Sequence, residues 1–308
     1  IKNPNVNNIF IGKGLLRNIF FSVIRAQNFF LTLTDLGNHL VKKPENIDRY
    51  IYYFHGAVST TKVYTATAFD NYDIILCNGD YHLNEIRKRE SIKKIKKKKL
   101  IKAGYFYFDY LNIKKNTQIK ADEILIAPSW NYNQKDFINE NLEEIIQLVL
   151  NKGHIVKFRP HPESFKRSML TINHFRKKFY NEKFILDETS ENVNSMEKAK
   201  CLITDNSGIA IEYTLLFKKP VLYFDNNDKI HNIEFNNYTD LFTMDQKVKE
   251  TFGYTFTKEN IKDLDVLIDK SILEFKNKDA KIKDFIDNNF YNYGATVKNF
   301  NDLIIKDL

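Results

Sequence analysis

The sequence predicts an α/β protein of two Rossmann-like domains whose parallel sheets face each other across a cleft. Three observations carry this. Short apolar runs alternate with helix-patterned segments, the signature of βα units with parallel strands and right-handed crossovers. The 308 residues correspond to about two ordinary domains. Near the middle, residues 112–122 (NIKKNTQIKAD) are polar and aperiodic and read as a linker. The expected domains are therefore 1–115 and 122–308, with the last helices packing back on the first domain.

In the first half, Asn8–Ile11 and Phe29–Leu33 are predicted strands, and Ile51–Phe54 is a short strand running into His55-Gly56. Tyr64–Phe69 is expected to be helical, Asp73–Cys77 a strand and Tyr81–Lys94 a charged helix. Leu100–Phe108 is strand-like, with a turn permitted at Gly104. In the second half, Ile124–Ala127 is a strand closing on Pro128-Ser129-Trp130. Asp136–Asn151 is an amphipathic helix with Phe137, Leu142, Ile145, Ile146, Val149 and Leu150 as its apolar stripe, and Gly153 ends it. Ile155–Phe158 is a strand that leads into Arg159-Pro160-His161-Pro162. A basic helix over Glu163–Tyr180, a strand at Phe184–Leu186 and a short helix at Val193–Ala199 follow. Residues 201–225 read as strand (Cys201–Thr204), turn, helix (Ile209–Phe217), Pro220 turn and strand (Val221–Phe224). Thr257–Leu308 is mostly helical.

Composition narrows the class. A hydrophobic content of 43% with 25 Phe and 17 Tyr supports sizeable cores. Cys77 and Cys201 fall in apolar runs and read as buried free thiols of a reducing compartment, not as a disulfide or metal framework. No run approaches the ~20 apolar residues of a membrane span, and the start has no signal-peptide layout. Part of the net charge of +8 is concentrated in Lys93–Lys99. That run is either a solvated loop or a contact with an anionic surface, where each basic residue contributes about 1 kcal/mol near a membrane. No nucleic-acid-binding signature accompanies it, so a membrane surface is the expected partner and nucleic acid is not.

The chemistry-bearing residues sit where strands end. In open α/β sheets, ligands bind at the carboxyl ends of strands, and a helix N-terminus there favours an anion. His55 ends a strand and suits a general base, unless it is a structural turn histidine. Gly56 lets a ligand approach the backbone. His161 lies between two prolines on a stiff loop, two residues after Arg159, whose planar charge suits phosphate oxygens. Asp205-Asn206-Ser207-Gly208 opens a helix; Ser207 either caps it or donates to a phosphate. Asp205 either orients His161 or forms the turn. Glu212, one turn inside, is either an acceptor for ribose hydroxyls or a solvent-facing carboxylate. Ser129 and Trp130, the only Trp, either line a base pocket or pack at the interdomain face. Asp225-Asn226-Asn227-Asp228 reads as a turn, and no metal site is expected.

Taken together, His55-Gly56, Ala127-Pro128-Ser129-Trp130, Arg159-Pro160-His161-Pro162 and Ile203–Gly208 with Lys219-Pro220 give a pattern that resembles the CDP-glycerol glycerophosphotransferases, over roughly residues 50–225. That family includes the teichoic-acid polymerases and related capsule enzymes. The resemblance implies a GT-B-type fold, with the acceptor on the first domain and the nucleotide mainly on the second. It implies transfer of glycerol phosphate, or a related phospho-alcohol, from a CDP-linked donor to a hydroxyl of a surface polysaccharide, a teichoic-acid-like polymer or a lipid-linked acceptor. CMP is released and no cofactor is required. It also implies a cytoplasmic location at the inner membrane face, which suits Lys93–Lys99.

By resemblance, His55 matches the proposed base, His161 the phosphate-contacting histidine, and Ser207 the first serine of the pyrophosphate motif. This chain departs from the pattern at Asn206 (usually Tyr), Gly208 (often Ser) and Glu212 (usually Asp). Lys62 is the nearest candidate for the lysine that follows His-Gly. The first domain looks short, as if an opening strand and helix were missing. One rival is a GT-B glycosyltransferase using CMP-sialic acid, CMP-Kdo or a UDP-sugar; another is a non-catalytic basic binding protein.

Overall fold

The computed structural model describes residues 5, 7, 9, 15–38, 42–116, 119–130, 141–225, 230–302 and 306. The first domain runs α1 (Leu15–Val23), β1 (Ala26–Leu31), β2 (Ile47–Tyr53), α2 (Thr60–Val63), β3 (Ile74–Cys77), α3 (Asp80–Lys93), β4 (Lys99–Lys102) and α4 (Phe106–Lys114). The second begins with β5 (Glu123–Ile126), α5 (Leu142–Asn151), β6 (Ile155–Phe158), α6 (Pro162–Arg167), α7 (Met169–Lys178), β7 (Phe184–Leu186) and α8 (Val193–Lys198). It continues through β8 (Ala199–Thr204), α9 (Ile209–Leu216), β9 (Val221–Phe224), α10 (Met244–Phe252), β10 (Tyr254–Phe256), α11 (Leu264–Phe275) and α12 (Asp279–Asn289).

Among the described residues the strands form two sheets, in the orders β1-β2-β3-β4 and β10-β9-β8-β5-β6-β7. Every pairing is parallel. Strands β3, β5 and β9 are buried along their whole length, as parallel strands covered by helices on both faces must be. The α/β reading with two parallel sheets is therefore what the chain adopts. Cys77 and Cys201 are free and buried within the two sheets.

The two halves are not merely tethered. One apolar cluster joins Tyr105, Phe108 and Leu111 of the first to Ala210, Ile211 and Leu215 of the second. Beyond α12 the chain returns to the first sheet. Tyr291 N–H donates to Asn78 O at 2.8 Å, Asn292 Nδ2 to Ala103 O at 3.0 Å, and Val297 N–H to Asp109 at 2.8 Å. Gly104, at φ +103°, makes room for this return: a Cβ there would lie 2.5 Å from Tyr291 O.

Several expected elements move. The helix expected at Tyr64–Phe69 lies one turn earlier, because the buried Glu85 carboxylate accepts from both Thr60 N–H and Thr60 Oγ (each 2.6 Å) and fixes the start of α2. The strand expected to reach Phe108 stops at Lys102; Gly104 turns the chain and Phe106 starts α4. Residues 112–114 of the expected linker belong to that helix. The basic helix after His161 breaks at Ser168 into α6 and α7. Elements α10 and β10 arise in a stretch with no clear sequence pattern. Most of Asn8–Ile11, the start of the helix expected from Asp136 (with Phe137), and residues 226–228 lie outside the described residues.

Candidate active site

The carboxyl ends of both sheets converge on one cleft of about 480 Å³. Strand β2 delivers His55, β5 delivers Ser129 and Trp130, and β6 delivers Arg159 and His161. Beyond β8, the turn into α9 contributes Ser207 and Gly208, and Glu212 rises from the helix itself. Of the nine residues singled out from the sequence, the cleft lining gathers eight, and Asp205 stands behind it.

Glu212 is buried, not solvent-facing (5% exposed). Its Oε1 accepts from Tyr105 Oη at 2.8 Å, and the same hydroxyl lies 3.1 Å from the backbone carbonyl of His55. Its Oε2 has no hydrogen-bond partner among the described residues. Burial pushes the Glu212 carboxyl up to about 7, with the Tyr105 hydrogen bond pulling the other way. Burial also keeps the Tyr105 phenol protonated, reinforced by the neighbouring carboxylate. The His55 ring is solvent-accessible at the cleft wall, beside Tyr64. Desolvation by that wall lowers its pKa below the ordinary histidine value, opposed by a hydrogen bond with the Thr32 backbone. A neutral imidazole near neutral pH is the form that accepts a proton.

His161 is the N-cap of α6, and its Nδ1 accepts from Glu163 N–H at 3.1 Å. That bond fixes the neutral tautomer with the proton on Nε2, a donor on a ring that lines the cleft. Trp130 lies 5.7 Å, centroid to centroid, from both His161 and His231, with the Arg167 guanidinium 5.4 Å from its ring centroid. Arg159 departs from the expected open phosphate ligand. Its guanidinium is bound to Asp187 at 2.6 Å and to Thr189 Oγ and O at 3.2 and 3.0 Å. Burial would raise the Asp187 pKa, but hydrogen bonds from Ser195, Thr189 and Arg159 outweigh it and hold it down. Arg159 thus braces the loop that carries Ser190 and Asn192 into the cleft.

Asp205 does not orient His161. Its two carboxylate oxygens accept from Ser129 N–H (2.7 Å) and Ser129 Oγ (2.6 Å), clamping the end of β5 to that of β8. Ser129 is therefore engaged by this clamp, and both residues are buried. Ser207 does not cap α9; Gly208 is the N-cap and carries no side-chain cap, and the first turn closes on itself, with Ala210 N–H on Ser207 O at 3.1 Å and Ile211 N–H on Gly208 O at 3.0 Å. A Cβ on Gly208 would sit 3.1 Å from Val58 Cγ1, so the absent side chain lets the first domain close on this turn. A smaller cavity of about 210 Å³, lined by Lys62, Asp245 and Lys249, shares Asn206 and Ser207 with the main cleft. Lys62 is buried in α2, and its carbonyl accepts from His231 and Asn232 N–H.

The sequence did not reveal His231, Tyr105, Tyr107 or Asn192. His231 sits in an irregular segment, and the tyrosines become site residues only because α4 meets the second domain: Tyr107 Oη donates to Asn192 at 2.6 Å. Among the described residues no cluster of three or more His, Cys, Asp or Glu side chains is arranged to hold a metal ion.

A model of the family CDP-Glycerol:Poly(glycerophosphate) glycerophosphotransferase matches residues 60–291. The chain belongs to this family. The match spans His161, Ser207 and Glu212 and begins just after His55. Among solved structures, the wall teichoic acid polymerase TagF has a TM-score of 0.57 at 19% identity, over 91% of this chain and 73% of that one. TagF soaked with CDPG gives 0.53 at 20% identity, over 91% and 71%. UDP-GlcNAc 2-epimerase from Neisseria meningitidis, bound to UDP-GlcNAc, gives 0.54 at 16% identity, over 84% and 70%. No curated protein sequence matches the chain. The protein thus has a GT-B-type fold and is a glycerophosphotransferase-like transferase of the CDP-glycerol class.

The buried carboxylate of Glu212 has a thermodynamic consequence. Glu212 titrates near 4.5 when unfolded and near 7 when folded, so its contribution to stability is fully present below about pH 4.5 and is lost as pH rises through 7. Glu212→Gln should flatten that fall. Relative to wild type, its Tm at pH 8 should gain at least about 2 °C over its Tm at pH 5, on the order of 1 kcal/mol for a chain this size. Identical pH dependence in thermal unfolding of the two proteins would contradict the burial of this charge.

Proposed function

We propose that this transferase moves glycerol phosphate from CDP-glycerol to a hydroxyl of a poly(glycerophosphate) or related surface-polymer acceptor, releasing CMP. The observation that carries the reading is the shared cleft: two histidines from different sheets, the N-terminus of α9 and a buried carboxylate all face one space. The donor diphosphate would lie on the Ser207 hydroxyl at the N-terminal end of α9, where the helix dipole favours an anion. The cytidine would extend toward Trp130, and Glu212 Oε2 would accept a ribose hydroxyl. The acceptor oxygen attacks the β-phosphorus and its proton passes to His55. The bond from that phosphorus to the bridging oxygen breaks, and CMP leaves with the electron pair. His161 Nε2–H donates to the developing charge. Such preorganised donors are typically worth ~3–4 kcal/mol each. No step in this scheme calls on a cofactor or metal.

A membrane-facing role is proposed for the exposed lysines ahead of β4, at the end of the first sheet where its strands begin: Lys94, Lys96 and Lys97 are exposed. Separately, α1 exposes Leu16, Ile19 and Val23 at helical spacing. The rest of the basic run is partly committed: Lys93 pairs with Glu234 at 2.9 Å, and Lys98 is buried and donates to Asp70 O. Exposed lysines and an exposed apolar helix stripe are each suited to the surface of an anionic bilayer. No helix among the described residues is long and apolar enough to cross a membrane. The location this reading implies is the cytoplasmic face of the cell membrane.

Two measurements test these readings. CDP-glycerol, CMP-sugars and UDP-sugars, offered with acceptor-bearing membrane extract, should give CMP release from CDP-glycerol. His161→Ala should cut it at least about tenfold, a barrier change of ~1.4 kcal/mol, with the circular dichroism unchanged. Turnover of a sugar nucleotide instead would move the attack from phosphorus to an anomeric carbon, as the glycosyltransferase rival requires. Separately, Lys96→Glu/Lys97→Glu should weaken co-sedimentation with phosphatidylglycerol vesicles at low salt; retention equal to wild type would remove the membrane assignment.

A further inference from the structure

A single buried hydroxyl connects the residue assigned to the donor with the residue assigned to the acceptor. Tyr105 is 1% exposed and belongs to the first domain. Its Oη reaches Glu212 Oε1 in the second domain at 2.8 Å and the His55 carbonyl in its own at 3.1 Å. One phenolic proton serves both acceptors, so a change in the demand of one alters the hold on the other. Glu212 lines the cleft, and its second oxygen is buried and without a partner among the described residues. The ring of Tyr105 is fixed by edge packing on Phe108, with centroids 4.9 Å apart. Hydroxyls farther along reach the second domain as well, from Tyr107 to Asn192 and from Tyr110 to Glu191 at 3.1 Å. Those two are the outer part of the seam; of the three, only Tyr105 touches the backbone that carries a catalytic candidate.

We infer that Tyr105 is a positioning residue for the transfer, linking engagement of the donor ribose by Glu212 to the placement of His55. The inference rests on the reading that CDP-glycerol occupies this cleft with its ribose on Glu212. Glu212 holds Tyr105 through one oxygen, and its other oxygen has no partner among the described residues. A ribose hydroxyl on that second oxygen completes the carboxylate's hydrogen bonding and favours its ionised form. The ionised form is the stronger acceptor for Tyr105. The turn at His55 and the α9 carboxylate then become one hydrogen-bonded unit spanning the domain seam. The other titratable groups around it are Tyr107 from the α4 side, Tyr64 just beyond α2, and His55, Arg159, His161 and His231 along the cleft.

Tyr105→Phe tests this, because it keeps the ring and its packing and removes the hydroxyl alone. With CDP-glycerol as donor, kcat/KM should fall at least about tenfold, with Tm within a few degrees of wild type. The acid limb of the pH profile should move to higher pH, since the Tyr105 hydrogen bond favours ionised Glu212. Adding Tyr105→Phe to Glu212→Gln should cost much less than it costs in the wild type. A variant with lowered Tm but an unmoved pH profile would make Tyr105 merely structural and overturn the inference. Should Tyr105→Phe not fold, Glu212→Gln decides: with Glu212 no longer titrating, the acid limb should move down to the lower pH set by His55, and an unmoved limb overturns the inference. Wild-type turnover of CDP-glycerol in the same assay separates the two layers. Its absence removes the donor reading and this inference with it, whereas its presence beside an unaffected Tyr105→Phe removes this inference alone.

Discussion

Glu212 sits at the seam between the two sheets, where an ionised carboxylate is costly unless hydrogen-bonded. The structure supplies one strong partner, the Tyr105 hydroxyl, from the opposite domain. That partner reaches it only because Gly104 turns the chain at a positive φ and α4 packs against α9 within a core shared by both halves. The returning segment after α12 presses on the same turn, with Tyr291 O close to Gly104. The seam, the cleft and the placement of His55 thus depend on one buried contact and the packing that delivers it. The proposed donor site then follows from the parallel topology, which brings the carboxyl ends of both sheets to the same edge of that seam.

Around the seam, charged side chains divide into those that build the cleft and those that face it. Arg159 and Asp187 form a nearly enclosed pair at 2.6 Å, and Ser195 and Thr189 complete the hydrogen bonding of the carboxylate. Asp205 and Ser129 clamp two strand ends in the same way. These pairs hold loops at fixed positions, which lets less encumbered groups be preorganised. His161 is an example: its backbone is stiffened by flanking prolines and its tautomer is set by Glu163 N–H. Preorganisation of this kind matters most where charge develops in a transition state, because donors already in place need no reorganisation.

Much of this was legible in the sequence, and the exceptions have physical causes. Ile155–Phe158, Phe184–Leu186 and Val221–Phe224 match their strands residue for residue; Val221–Phe224 is the clearest case, a fully buried parallel strand that leaves an uninterrupted apolar run. The strand-end motifs at His55, Arg159–His161 and Ser207–Gly208 were visible because loops there carry Pro, Gly and His in unusual density. Long-range partners were not visible. Nothing local shows that Glu85 would draw the start of α2 to Thr60, that Asp187 would claim Arg159, or that Asp205 would bind Ser129. Glu212 lies in an apolar helix, and its burial depends on which helix packs beside it. Tyr105 and His231 have no motif at all; their importance comes from the meeting of two domains.

The most direct test of the central claim is a crystal structure of the His161→Ala protein soaked with CDP-glycerol. The account predicts the diphosphate at the N-terminal end of α9 beside Ser207, a ribose hydroxyl on Glu212 and the cytidine near Trp130, with the Tyr105–Glu212 hydrogen bond intact. A nucleotide lodged elsewhere, or one in the cleft that leaves Glu212 untouched and Tyr105 displaced, would contradict it.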